Sequence, residues 1–588
     1  MTHKNTAITL PLTICLFFLG ALCFDVTYCL NDDLMIQSIL SGTFAAENSG
    51  LAVYFNAPLS HVLALFYGIL PTVPWLGLFL CSCFILCFAL VLHRLFSMQE
   101  TVMGQILVFL LVPLGFGALF FFQYILIHYT VVAAVTGATG AFLLATALHK
   151  NTWKQTLLSM LPAICLLLLC FLIRTNVFIL ILPFVLCAFL MRLCYTDKNS
   201  ESEKPDEDNK NSHSPFYKKL WQTFVNHLPA MSIFFGGAAF LFALHFLLYQ
   251  TGEMKTYTEY NDARTTLYDY ELIHDTPDAR AYYASKGVTE EEVNIYLDYN
   301  ILLDETSSPE KFLSMASYKK DAGLELSPVN KLKNAFSTYK IRTLQKNADY
   351  PYNFMALGLY ALAFAAILLR KKYAFFIPLG AMGVLRSLLF VYLFYQGRYP
   401  ERVTLSVYLA ECILFAALFA LLLKENKSKT ILSAVGTVLA LLFLAMLPVT
   451  ASMGITAYNN QQEINKSQNV LFAYMQEHPD NLYLADVYAT VYRTEPAIAD
   501  YDSSYENYIT LGGWISGHPL LDKKLALHGY SNIKDALTTG EDVYLVLHES
   551  KGMTGEEFTS YYPEITLTLY ETVEGANDRF YIYKPSLK

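Results

Sequence analysis

Ala7-Ile8-Thr9-Leu10-Pro11-Leu12-Thr13-Ile14-Cys15-Leu16-Phe17-Phe18-Leu19-Gly20-Ala21-Leu22-Cys23-Phe24 is apolar for long enough to cross a bilayer, and Asn31-Asp32-Asp33-Leu34-Met35-Ile36 follows shortly after it. Two adjacent carboxylates therefore fall at the water interface beside hydrocarbon, where charge is expensive. Asn31 reads as a helix N-cap, with both Asp residues in a first turn whose dipole favours anions. Leu34, Met35, Ile36, Ile39 and Leu40 then lie along the membrane surface. Helix capping at an interface accounts for the pair by itself, so the rest of the chain has to say whether it carries chemistry.

The same apolar pattern recurs. The chain has 588 residues, 54% of them hydrophobic, and the apolar residues come in long blocks unlike the short alternation of a soluble enzyme. Spans are expected at 7–24, 74–93, 104–124, 129–148, 155–173, 175–193, 229–250, 353–370, 373–396, 404–423 and 430–449, eleven in all. A patch at 59–70, punctuated by His61, Gly68 and Pro71, reads as re-entrant or interfacial. Arg94, Lys150 and Lys154, Arg192 through Lys219, Arg370 to Lys372, and Lys424, Lys427 and Lys429 all fall on one side, which the positive-inside rule makes the cytoplasm. The amino terminus is then inside and the carboxyl terminus outside. No A-x-A cleavage site follows the first segment, which is kept as an anchor.

Four regions follow. Residues 1–250 form an amino-terminal transmembrane module, with a first outside loop at 25–73 and a charged cytoplasmic linker at 194–228. Residues 251–351 form an outside helical insert, signalled by Thr289-Glu290-Glu291-Glu292, a capping box, and by Ser308-Pro309-Glu310. Residues 352–450 hold further spans, and 451–588 form a small outside α/β domain. Its strands are expected around 481–487 and 542–547, with a helix at 462–476 and a hairpin across 564–583. From Tyr458 onward there are nine Lys/Arg against nineteen Asp/Glu, which argues against nucleic acid and against an anionic lipid surface. All eleven cysteines lie in or beside apolar spans, without metal-ligand spacing or a disulfide framework.

The informative charges are those the membrane resists. Arg386 and Glu411 sit inside neighbouring spans at similar depth, each costing roughly 2.5 to 3.5 kcal/mol if alone. They are expected to pair. Arg174 at an outer span end, and Arg398 and Arg402 in Gly397-Arg398-Tyr399-Pro400-Glu401-Arg402, run against the inside bias, and an anionic partner such as phosphate is a physical motive for them. Pairing with Glu401 or lipid headgroups is the bland account. The outer face also collects Asp25, Asp32, Asp33 and Glu47, with Tyr54, Asn56 and His61 between. Arg264 and Asp269 belong to a stretch mixing rings, carboxylates and guanidinium, the mixture that sugar sites need. A carboxylate can serve as base to an acceptor hydroxyl while arginines neutralise a departing phosphate. The chain has no Gly-rich phosphate loop for a soluble nucleotide-sugar.

Taken with Tyr54-Phe55-Asn56-Ala57-Pro58-Leu59 and Gly512-Gly513-Trp514, these motifs resemble the GT-C superfamily of integral-membrane glycosyltransferases. The resemblance implies a polytopic α-helical membrane protein of the plasma membrane, a polyprenyl-phosphate-linked sugar donor, and an envelope glycan, lipid or protein as acceptor. It puts the catalytic acidic position at Asp32 or Asp33, with Asp33 favoured. It assigns donor-phosphate binding to Arg398, Arg402 and Arg174, and substrate binding to Tyr54, Asn56, His61, Arg264 and Asp269. No second acidic motif of the kind used by metal-dependent members is present, which leaves a divalent metal open. Two further readings compete: a flippase or transporter of a lipid-linked or small solute, using Arg386 and Glu411, and a non-enzymatic glycan-binding envelope protein.

Overall fold

The computed structural model describes residues 2–147, 152–195, 216–424, 429–498 and 501–588. Most of the charged linker, together with Lys150 and Lys427, lies outside the described residues.

Helices α1 (Thr2–Cys23), α2 (Asn31–Ser41) and α3 (Ala57–Ile69) lead into α4 (Trp75–Ser97), α5 (Val102–Leu119), α6 (Phe121–Ile125), α7 (Tyr129–Thr146), α8 (Trp153–Ile173), α9 (Thr175–Cys194) and α10 (Phe216–Tyr249). The insert contributes α11 (Gly252–Thr265), α12 (Pro277–Ser285), α13 (Glu290–Leu297), α14 (Pro309–Ala316), α15 (Tyr318–Asp321) and α16 (Pro328–Leu344). Then come α17 (Tyr352–Arg370), α18 (Phe376–Gln396), α19 (Glu401–Leu423) and α20 (Lys429–Glu477). Among the described residues, ten helices are long and apolar enough to cross a membrane, matching ten of the eleven expected spans; the apolar run Ile8–Phe18 within α1 is shorter. The expected 104–124 span ends at Leu119, and α6 follows as a separate turn.

α7 is the central helix, in contact with α4, α8, α9 and α19. Its run of small residues permits this. A Cβ on Gly137 would meet Cys170 Sγ at 2.8 Å, and one on Gly140 would meet Leu167 Cγ at 2.9 Å, so α8 approaches as closely as glycine allows. Arg386 and Glu411 pair as expected, Nε to Oε2 at 3.1 Å, without hydrogen-bond alignment. Tyr360 donates to the other Glu411 oxygen at 2.6 Å.

At one end of the bundle, β1 (Thr27–Tyr28) pairs in parallel with β2 (Leu126–Ile127), Thr27 opposite Leu126 and Tyr28 opposite Ile127. This small ribbon brings the approach to α2 against the approach to α7. Asn31 is the first residue of α2 rather than its cap; Leu30 occupies the cap position without a side-chain bond. Leu34, Ile36, Ile39 and Leu40 are buried in protein, so the apolar face of α2 docks onto the chain and not onto lipid.

The expected 462–476 helix is the end of α20, a continuous 49-residue helix that leaves the membrane without a break. Its Leu471, Phe472 and Met475 pack on a five-stranded sheet of order β4-β3-β5-β7-β6, with β3 (Leu482–Ala485), β4 (Tyr508–Thr510), β5 (Val543–His548), β6 (Ile565–Glu574) and β7 (Arg579–Leu587). β3 runs parallel to β4 and β5, and β7 runs antiparallel to both β5 and β6. The insert opens α13 with the Thr289–Glu292 capping box and α14 with a Ser308 cap.

Candidate functional site

The ribbon places Asp33 at the start of α7. Its Oδ2 accepts from His128 Nδ1 at 2.7 Å and its Oδ1 from the Tyr129 backbone N–H at 3.2 Å, at the positive end of the central helix. Both oxygens are thus occupied, and the side chain is fully buried. His128 Nε2 lies 3.1 Å from Thr130 Oγ1, which accepts in turn from Arg174 Nη1. With the proton on His128 Nδ1, Thr130 donates to Nε2 and every group in the chain Arg174, Thr130, His128, Asp33 has a partner.

Asp32 points the other way. It is half-buried; Trp514 Nε1 donates to its Oδ1 at 3.1 Å, and its second oxygen is open to solvent. Trp514 is held by the Tyr257 hydroxyl, which donates to its carbonyl at 2.6 Å, and by Gly512, where a Cβ would come within 1.7 Å of the Tyr299 carbonyl. The Tyr54 ring meets Trp514 edge-on at 5.2 Å, and the Arg174 guanidinium lies over Tyr54 at 5.6 Å and over Tyr129 at 4.9 Å.

Charges from distant parts of the chain converge on the Tyr54 phenol. Burial pushes it up to about 12; Asp32 and Asp269 push the same way, and Arg264 and Arg174 oppose them. Cys29, likewise raised to about 12 by burial and by Asp33, is opposed by Arg402. Asp269 pairs with Arg398 at 2.9 Å, and Arg398 also lies over Tyr270. Arg264 is buried; its Nε donates to Asn261 at 3.0 Å and its Nη2 to Thr265 at 3.4 Å. Among the described residues, no carboxylate pairs with Arg174, Arg264 or Arg402.

Asn56 and His61 stand apart. Asn56 ties the first loop to the α8–α9 junction through Thr175 at 3.2 Å and the Leu172 carbonyl at 3.0 Å. His61 is exposed and bonds the carbonyl of Ala57 on its own helix at 2.8 Å, with no contact to Asp32, Asp33 or the arginines. Sequence reasoning passed over His128, Thr130 and Tyr129, although three polar groups in a row between apolar runs were a signal. Trp514, read only within Gly512-Gly513-Trp514, is a further site residue that the sequence does not connect to Asp32. Among the described residues, no group of three or more His, Cys, Asp and Glu side chains is placed to hold a metal ion.

No family model matches the sequence, and no curated protein does. Among solved structures, the chain is similar to the crystal structure of ArnT from Cupriavidus metallidurans bound to undecaprenyl phosphate, at 9% identity and a TM-score of 0.40, over 99% of this chain and 98% of that one.

Proposed function

We propose that this protein is an integral-membrane glycosyltransferase that moves a sugar from a polyprenyl-phosphate donor to a cell-envelope acceptor at the outer membrane surface. The observation that carries the reading is Asp32: a half-buried carboxylate with one oxygen oriented by Trp514 and the other open, beside a tyrosine reached by Arg174 and Arg264. In this reading Asp32 is the base, and Asp33, sealed by His128 and Tyr129, positions α2. This reverses the order favoured on sequence, for a carboxylate with both oxygens engaged in a dry site does not reach an acceptor hydroxyl.

The acceptor O–H gives its proton to Asp32 as its oxygen bonds to the anomeric carbon. The bond from that carbon to the phosphate oxygen breaks, and the electron pair leaves on the polyprenyl phosphate. Arg402, Arg264 and Arg174, which pair with no carboxylate among the described residues, neutralise that anion, and Arg398 reaches it from its pair with Asp269. An apolar cleft of about 200 Å³ between α4, α5, α19 and α20, lined by Phe88, Leu111, Phe116, Ile413 and Phe443, supports a prenyl tail as the lipid part of the donor. The transporter alternative relied on Arg386 and Glu411, which are occupied with one another and with Tyr360.

Mass analysis of envelope glycans from cells carrying the wild type or Asp32→Asn tests the reading. A sugar residue missing from one glycan species in the variant supports it; identical glycan masses, with both proteins present in the membrane, overturn it.

A further inference from the structure

A cleft of about 400 Å³, lined by none of Arg174, Arg264, Arg398 and Arg402, opens between α2, the extramembrane end of α20 and the sheet domain. Its chemistry is unlike that around Tyr54. Four carboxylates line it, Asp25, Glu495, Asp502 and Glu506, against a single guanidinium, Arg493, which is already paired with Glu495 at 2.5 Å. The amides of Gln462, Asn469 and Gln476 come from every second turn of α20, and the rings of Phe472, Tyr501 and Tyr508 form the apolar part of the wall. Two of the acids are held in place: Glu506 accepts from Ser38 of α2 at 2.6 Å, and Asp502 from Gln476 at 3.0 Å.

The cleft also leads somewhere. It shares Leu34, Ser38, Phe472, Arg493 and Tyr508 with a smaller recess of about 70 Å³. That recess is closed at its far end by Asn31, Gly513 and Trp514, the residue whose indole holds Asp32. The recess therefore ends at Trp514, the side chain that separates it from the proposed base.

We propose that this cleft is the acceptor subsite and that its ligand is a carbohydrate chain that is neutral or carries amines, not acidic groups. The proposal rests on the glycosyltransferase reading for its place in the reaction. Amides and carboxylates together satisfy sugar hydroxyls as donors and acceptors, and flat rings cover sugar C–H faces. The excess of carboxylate excludes phosphate and uronate by like-charge repulsion and attracts ammonium. Donor and acceptor are thereby sorted by sign: the lipid phosphate goes to the arginines, and the acceptor to the acidic cleft.

Calorimetric titration of the full chain in lipid nanodiscs tests this with three tetrasaccharides of equal length: N-acetylated chitotetraose, its deacetylated amine form, and tetragalacturonate. The amine form is expected to bind tightest, the acetylated form next, and tetragalacturonate about ten-fold or more below both. Asp502→Lys, at an exposed position, should abolish the preference for the amine form, and Gln462→Ala with Asn469→Ala should weaken both favoured ligands. Equal affinity for all three, binding indifferent to these variants, or no binding of either chitotetraose form overturns the proposal. Binding by Asp32→Asn separates the two claims: retained binding beside undiminished sugar transfer sinks the catalytic reading and leaves the cleft standing.

Discussion

Asp33 Oδ2 and His128 Nδ1 lie 2.7 Å apart across 95 residues of chain, and that contact fixes where the first loop meets the central helix. Asp33→Asn removes the charge that accepts from both His128 Nδ1 and Tyr129 N–H, and satisfies the new amide N–H₂ only if His128 moves its proton to Nε2. The variant is expected to lose about 1.5 to 3 kcal/mol of stability, seen as a lower thermal midpoint in detergent. Asp32→Asn keeps the oxygen that accepts from Trp514 and should melt like the wild type. Equal melting of all three proteins would contradict the division of roles.

The arginines divide by partner. Arg402→Ala removes a guanidinium with no hydrogen bond or ion pair among the described residues, so stability should hold while donor affinity falls about ten-fold. Arg174→Lys keeps the charge but loses the planar group that covers Tyr54 and Tyr129 and bonds Thr130, and is expected to impair both donor affinity and thermal midpoint. Titration with a soluble prenyl-phosphate analogue reads the first effect, and melting reads the second.

Within the membrane, Glu411→Gln or Arg386→Leu each strands a buried partner and should lower stability by about 3 to 5 kcal/mol, whereas the double replacement should recover much of the loss. Thermal unfolding of the three variants forms a double-mutant cycle. Additive losses would show that the pair is not coupled.

Lys524 supplies a pH dependence. It is fully buried, without a hydrogen bond, against the rings of Phe44, Tyr505 and Tyr508. Burial lowers its ammonium from 10.5 to about 8, with Glu506 acting weakly the other way. The folded state thus releases the proton first, and between those two values the unfolded chain binds more protons. Stability should therefore rise as pH increases through about 8 and level off near 10.5. Lys524→Met should raise the midpoint at pH 7 and flatten that rise; a variant melting with the wild-type pH slope would contradict this. The neighbouring Glu506 and His528, the latter held below its usual range by burial and by Lys524, remain in both proteins.

The membrane helices were legible because uninterrupted apolar runs of sufficient length have one inexpensive environment. The Arg386–Glu411 pair was legible for the same reason, since neither charge tolerates that depth alone. Other contacts were not. Trp514 reaches Asp32 across 482 residues, carried there by direct contacts of the C-terminal domain with the first loop, such as Ser38 to Glu506 at 2.6 Å and His518 to the Leu51 carbonyl at 3.0 Å, and by the insert's Tyr299 against Gly512. The length of α20 was hidden because its sequence turns from apolar to polar while its backbone hydrogen bonds continue. His61 was misleading in the opposite sense: a histidine in the right loop whose ring turns back to its own helix.

The most direct measurement is the transfer rate of Asp32→Asn in proteoliposomes, with a labelled polyprenyl-phosphate sugar and saturating acceptor. The account expects turnover to fall by about 10² to 10⁴, with donor affinity and thermal midpoint unchanged. Turnover at the wild-type rate would contradict it.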